Sequence, residues 1–282
     1  MVSNFEKGII IKIKNLSRER VARRLKFLIF IPRGITKKPR SSTAVISDLF
    51  LIRGGNDWNT EFELLNIRGI VEGDNRITDE TAKFVFFDPD GREVSRRDIN
   101  LPAQGRTTIK LSELFGERDL GTFSIFHSKT VSWLSNQNGY LADRGYTGYE
   151  YKGLQVKGYV HGNLDATALN KNDFEMLGQR GFVPRTYNLQ HVLRGPATYQ
   201  FAFVNPTKKK VKLKARVSGL SGEKLKKHEK HSLELNSRAS RIVSTTLKDG
   251  ETAKLSVRSR LYMMGRPVVF RVADQTMDVF HG

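Results

Sequence analysis

The octet Lys210-Val211-Lys212-Leu213-Lys214-Ala215-Arg216-Val217 alternates a cation with an apolar residue at every step. A helix advances about 100° per residue and would scatter both kinds around its axis, whereas a strand sends successive side chains to opposite faces. The octet is therefore read as a strand with Val211, Leu213, Ala215 and Val217 against a core. Lys210, Lys212, Lys214 and Arg216 then form one outward row, spaced about 7 Å apart. Such a row matches the charge repeat of a polyanion. It is equally the lysine-guarded edge of a sheet, and Glu61, Glu63 or Glu234 on neighbouring strands can pair with it.

The same grammar of short apolar runs between turns continues along most of the chain and predicts an all-β fold. Strands are expected at 47–52, 61–66, 82–87, 93–100, 106–111 and 121–127, and again at 199–205, 210–218, 232–236, 241–246, 253–259 and 267–272. Asp88-Pro89-Asp90-Gly91 is a turn with a mechanism, because proline presets one dihedral and glycine permits a positive one; it joins 83–87 and 92–99 in a hairpin. The two strand sets can be superimposed: 62–66 on 201–205, 82–87 on 211–217, and 99–101 with 106–109 on 233–235 with 240–243. The expected fold class is mainly β, two tandem antiparallel β-sandwich domains with a basic N-terminal extension. The boundaries are 1–44 for the extension, 45–130 for the first sandwich, 131–194 for a Tyr/Gly-rich connecting segment and 195–282 for the second sandwich.

An Asn-ended strand, a strand turning at Asp or Gly, the segment Leu101-Pro102-Ala103 and a Thr-rich strand ending in Leu111 follow one another here. In this order the chain resembles the small β-sandwich family of the sensory rhodopsin transducer, over about 80 residues in each of the two copies. The resemblance implies an oligomeric, carbohydrate-binding-like sandwich acting as a binding or transducing module. The basic extension and the central segment depart from that family's single-domain plan, and none of its functional residues carries over.

Of a formal net charge of +19, the first 44 residues carry +10 and residues 208–230 carry +8. Two concentrated patches on an otherwise near-neutral chain make a field that attracts an acidic polymer or anionic surface, whether nucleic acid, anionic glycan or membrane. The candidate polyanion-binding residues are Arg20, Arg23, Arg24, Lys208, Lys210, Lys212, Lys214, Lys226 and Lys227. Residues 18–31 interleave arginines with Val21, Leu25 and Phe27, a basic amphipathic element that lies on an anionic surface or packs its apolar side onto the first domain. The 224–231 loop extends the basic surface without the aromatic residues that stack single-stranded bases. Cysteine is absent, which excludes disulfides and thiolate chemistry and fits a cytoplasmic setting. No secretory signal is read at the start, and no apolar run reaches the roughly 20 residues of a transmembrane segment.

Tyr140, Tyr146, Tyr149, Tyr151 and Tyr159 lie among glycines in the middle of the chain. Rigid amphipathic rings on a flexible backbone suit recognition, and sugars stack on such rings. Trp58, Tyr146, Tyr149, Tyr151, His161 and Asn163 are the candidate ligand-binding residues for a carbohydrate; the same tyrosines equally plug the junction between two sandwiches. His127, His161 and His191 offer a metal-site alternative, and with it a metal-dependent enzyme, though their spacing carries no ligand motif. No nucleophile elbow, phosphate loop or dinucleotide fingerprint occurs. The expected function is a non-catalytic binding or scaffold protein, without cofactor, that forms a homo-oligomer. A nucleic-acid binder is the further alternative.

Overall fold

The computed structural model describes residues 35–55, 57–66, 80–102, 105–116, 118–127, 145–219, 228–262 and 266–282. The chain divides into Met1–Gly34, which lies outside the described residues, and Ile35–Gly282. The first third gives β1 (Val45–Arg53), β2 (Trp58–Leu65), β3 (Glu80–Phe87), β4 (Glu93–Leu101), β5 (Arg106–Lys110), the helical turn α1 (Leu111–Phe115) and β6 (Leu120–His127). Then come β7 (Tyr146–Tyr151), β8 (Lys157–Val160), β9 (Asn163–Asn170), β10 (Asp173–Met176), β11 (Arg180–Asn188) and β12 (Leu193–Arg194). The last third gives β13 (Ala197–Val204), β14 (Val211–Gly219), β15 (His228–Leu235), β16 (Ser240–Leu247), β17 (Thr252–Leu261), β18 (Val268–Ala273) and β19 (Thr276–His281). The protein is mainly β, and every named strand pairing is antiparallel.

Among the described residues the strands form four sheets, with strand orders β10-β9-β1-β6-β3-β4, β5-β2-β7-β8, β16-β13-β18-β19 and β11-β17-β14-β15, the last with β12 also on β17. The pairing recurs along the chain. β2 pairs with β5 and β7 as β13 pairs with β16 and β18, while β3 pairs with β4 and β6 as β14 pairs with β15 and β17.

Three apolar layers fill the spaces between sheets. Phe50, Phe84, Phe86 and Phe123 from the six-stranded sheet meet Phe62, Leu64 and Ile109. Phe50 stacks on Phe123 at 5.0 Å and takes the edge of Phe62 at 4.9 Å. Phe201, Phe203 and Val269 likewise meet Leu213, Val217, Leu255 and Val257. The third layer lies between these two. Leu49, Leu51, Val85 and Phe87 alternate with the inward phenylalanines of β1 and β3, and they meet Ala202, Val204, Val268 and Phe270, which alternate in the same way on β13 and β18. The central strands β1, β3 and β6 are thus buried on both faces, which explains why they read as continuous apolar runs such as Phe84-Val85-Phe86-Phe87.

The β3–β4 turn fixes this stack. Gly91 N donates to Asp88 O, and Asp88 Oδ1 accepts from Asp90 N and Arg92 N. The turn docks on the start of β16: Ser240 N donates to Pro89 O at 3.0 Å, and Arg241 reaches both Pro89 O and the Asp90 carboxylate. Gly91 sits at φ +83°, and a Cβ there would lie 2.0 Å from Ser237 O, so only glycine fits this approach.

The segment expected to connect two halves does more than connect. Its described part, from residue 145, supplies β7 to β2, β9 to β1, and β11 and β12 to β17. Residues 35–44, the described end of the basic extension, run along β10 and its flank: Lys37 pairs with Glu175, and Arg40 with Asp173 and Glu175. No helix among the described residues is long and apolar enough to cross a membrane.

Candidate functional site

The outer face of the sheet β11-β17-β14-β15 gathers the exposed cations of its strands. Alternation along β14 buries Val211, Leu213, Ala215 and Val217 and leaves Lys212, Lys214 and Arg216 outside. β17 does the same with Lys254 and Arg258, and β15 adds Lys230. With Thr186, Ser218, His231, Ser232 and Ser256 these residues line an open groove of about 710 Å³.

Register decides which of these charges remain active. Lys212 stands opposite Glu234, whose carboxylate takes the ammonium groups of both Lys210 and Lys212. Those two bonds, Lys210 first, hold the Glu234 carboxyl below its usual range. One step further along, the pattern reverses sign. Lys214 stands opposite Arg258, and Arg216 opposite Lys230. Like charges directly opposite across a sheet are destabilising. None of Lys214, Arg216, Lys230, Lys254 and Arg258 has a carboxylate partner among the described residues. Between the cations stand hydroxyls: Ser232 opposite Lys214, Ser256 opposite Arg216 and Ser218 opposite Lys254. The face therefore offers a charged lattice with rows about 7 Å apart along the strands and about 5 Å across them.

Of the candidate polyanion-binding residues, Lys214 lies in this groove. Lys210 and Lys212 lie beside it under Glu234, and Lys208 is exposed on the preceding loop. Arg20, Arg23, Arg24, Lys226 and Lys227 lie outside the described residues. The sequence reading missed Lys254 and Arg258. Their period-two spacing in Lys254-Leu255-Ser256-Val257-Arg258 carried the signal, but nothing local says that this strand lies beside β14.

The candidate carbohydrate residues disperse. Trp58 is buried in the third apolar layer, its ring edge-on to Phe270 at 4.7 Å and to Tyr151 at 5.0 Å, with the Arg53 guanidinium 4.5 Å over it. Burial pulls Arg53 down to about 10, and Gln200 accepts its Nη1 at 2.8 Å. Tyr149 is fully buried and donates its hydroxyl to Leu51 O at 2.9 Å; burial raises its pKa well above the usual value. Tyr151 is half-buried, and Asn163 Nδ2 donates to Leu49 O. Trp58 and Tyr149 are thus core side chains with almost no surface to offer a ligand. Tyr146 alone of the six is exposed, at 56%. Tyr140 lies outside the described residues.

The three histidines sit apart in their surroundings. His127 is buried against Glu80 at 3.5 Å. His161 stacks on His281 at 4.4 Å, and His191 meets the Phe280 ring at 4.8 Å. Among the described residues no three His, Asp or Glu side chains converge as a metal site. Comparison of the sequence with protein-family models and with curated proteins finds no match.

Proposed function

We propose that the protein is a binding or scaffold module that holds a linear acidic polymer on the outer face of the sheet β11-β17-β14-β15. One observation carries the reading: Lys214 faces Arg258 and Arg216 faces Lys230 with no carboxylate between them among the described residues. A sheet surface selected for stability alone would interleave acids, as it does at Lys212 and Glu234. Sulfates or phosphates laid along the strands would relieve that repulsion. Among the described residues the lining holds no Phe, Tyr or Trp, its one ring being the His231 imidazole and its one apolar member Ala215, so there is neither a row of rings to stack successive bases nor a set of large apolar side chains to enter a bilayer. Anions of the polymer, not bases or acyl chains, are what this face can read.

On the same reading the four sheets are two tandem antiparallel sandwiches, each with its own apolar layer and sharing the third. Recurrence of the strand pairing supports a duplicated unit, the unit to which the likeness to the transducer family applies. The basic N-terminal extension is taken as a second cationic surface for the same polymer.

The test is retention on immobilised heparin and on duplex DNA, with phosphatidylserine vesicles as a third arm, across a sodium chloride series. Retention on heparin or DNA that falls steeply with salt, and that the Lys214→Gln/Arg216→Gln variant loses, supports the reading. Retention on vesicles alone, or none on any arm, contradicts it.

A further inference from the structure

The outer face of the sheet β5-β2-β7-β8, a different sheet from the one that carries the basic groove, has a different chemistry. Tyr159 stands opposite Gly148, which stands opposite Glu61. A Cβ at position 148 would lie 2.7 Å from Tyr159 Cε1 and 3.2 Å from both Cδ1 and Cζ. The ring therefore lies across the glycine, and its other side faces solvent at 43% residue exposure. Tyr146, 56% exposed, is on the same face of β7 two residues away from Gly148. Diagonal neighbours of this kind are about 7–8 Å apart, within reach of long and aromatic side chains.

Polar groups around the ring are held in place. Lys157 Nζ bridges Glu61 at 2.6 Å and Glu150 at 3.0 Å. Asn59 Nδ2 donates to Glu150 at 3.0 Å, and Arg106 pairs with Glu63 at 2.6 Å. Glu61 is nearly buried, at 7% exposure, beneath this network. Three carboxylates, Glu61, Glu63 and Glu150, are balanced by Lys157, Arg106 and Lys110, so the face carries no net charge. An acidic ligand gains nothing here, and a flat ring in a field of fixed donors and acceptors is too polar for a dry protein contact.

We propose that this face binds a neutral saccharide, one pyranose stacking its C–H side on Tyr159 while its hydroxyls bond to Glu150, Asn59 and Lys157. The stack supplies apolar contact at little entropic cost, and the ion pairs supply preorganised hydrogen-bond partners. The site is independent of the basic groove and would stand if polymer binding there failed.

The test is native affinity electrophoresis of the full chain in gels containing soluble β-glucan, α-glucan, xylan or galactomannan. At least one polysaccharide should retard the protein, equally at low and at high salt, because an uncharged ligand offers no charge–charge attraction for salt to screen. Tyr159→Ala should weaken retardation about tenfold and Tyr159→Phe should largely keep it. Gly148→Ala, which drives a methyl group into the ring, should weaken it with the tyrosine still present. Lys214→Gln/Arg216→Gln should leave it unchanged. Absence of retardation by all four polysaccharides, or equal retardation of the Tyr159→Ala variant, overturns the proposal. So does a Tyr159→Ala variant whose sole change is a smaller sedimentation coefficient, because the face is then an interface between copies of the chain.

Discussion

Asn66 and Asn205 make the same pair of hydrogen bonds at the ends of β2 and β13. The backbone N–H of Asn66 donates to Gly105 O and its Nδ2 to Pro102 O; those of Asn205 donate to Ala239 O and Asn236 O. Each asparagine thereby ties the end of one strand to the turn joining two others, β4 to β5 and β15 to β16. Both side chains are buried, at 1% and 0% exposure. Asn205 goes further: its Nδ2 also reaches Lys209 O and Leu235 O, and its Oδ1 accepts from the N–H and hydroxyl of Thr207. Asn205→Ala should cost about 2–4 kcal/mol, since it strands several buried partners. Urea denaturation checks this, and Asn205→Asp, which keeps the acceptor and removes the donors, should also be destabilised.

Gly91→Ala should cost more than Gly250→Ala. Both glycines have positive φ, +83° and +72°, so both variants carry the backbone strain of roughly 1–2 kcal/mol. Only at Gly91 does the new methyl group strike another element, Ser237 O at 2.0 Å; at Gly250 nothing lies within 4 Å. The difference between the two midpoints in thermal unfolding measures what the docked β3–β4 turn contributes.

Acid should weaken the region around β19 in a defined window. Burial, with the neighbouring His161 second, pulls His281 down to about 4 from an ordinary value of 6.5. Its Nε2 sits 3.0 Å from His161 O. The unfolded chain takes up this proton below 6.5 and the folded one only near 4, so stability is intact above 6.5 and declines as pH falls toward 4. In the His281→Asn variant that part of the pH dependence should vanish, which denaturation at pH 7 and pH 4.5 reads directly.

Arg216→Gln should stabilise the fold slightly while weakening the polymer. It removes a cation standing opposite Lys230, and relief of a cross-strand like-charge pair is worth roughly 0.2–1 kcal/mol at low salt. Glu234→Gln should act in the opposite sense on binding, because it releases Lys210 and Lys212 and lets polymer affinity rise. Denaturation paired with heparin elution for both variants checks the two directions.

The twelve strands expected from period-two patterning and turn residues all have counterparts, because alternation of the Lys210–Val217 kind and turns such as Asp88–Gly91 are local properties. β7 to β12 and β19 escaped notice, and for β7, β9 and β11 the physical reasons are plain. Tyr146-Thr147-Gly148-Tyr149 hides its alternation behind a glycine that is needed under the Tyr159 ring. β9 is buried through small residues, Ala166, Thr167 and Ala168. β11 bears Phe182, Val183 and Pro184 on exposed positions where its register on β17 shifts. Half of the basic groove was legible, since Lys214 and Arg216 follow from alternation. Its other half was not, because Lys254 and Arg258 enter through cross-strand register, which depends on the whole sheet; of the three carboxylates expected beside the lysine row, Glu234 is there, while Glu61 and Glu63 pair with Lys157 and Arg106 on another sheet. The aromatic candidates misled for a related reason: Trp58 and Tyr149 sit among polar neighbours in sequence, yet the third apolar layer covers both.

The most direct test of the anion-binding account is fluorescence anisotropy of a labelled DNA duplex titrated with the full chain at several salt concentrations, for the natural sequence and for Lys214→Gln/Arg216→Gln/Arg258→Gln. Each phosphate contact contributes about 0.9 to the slope of log affinity against log salt. The account predicts weaker binding by the variant and a slope shallower by roughly 2.7, the sum of three such contacts. An unchanged affinity and slope would show that these cations face solvent only, and would contradict it.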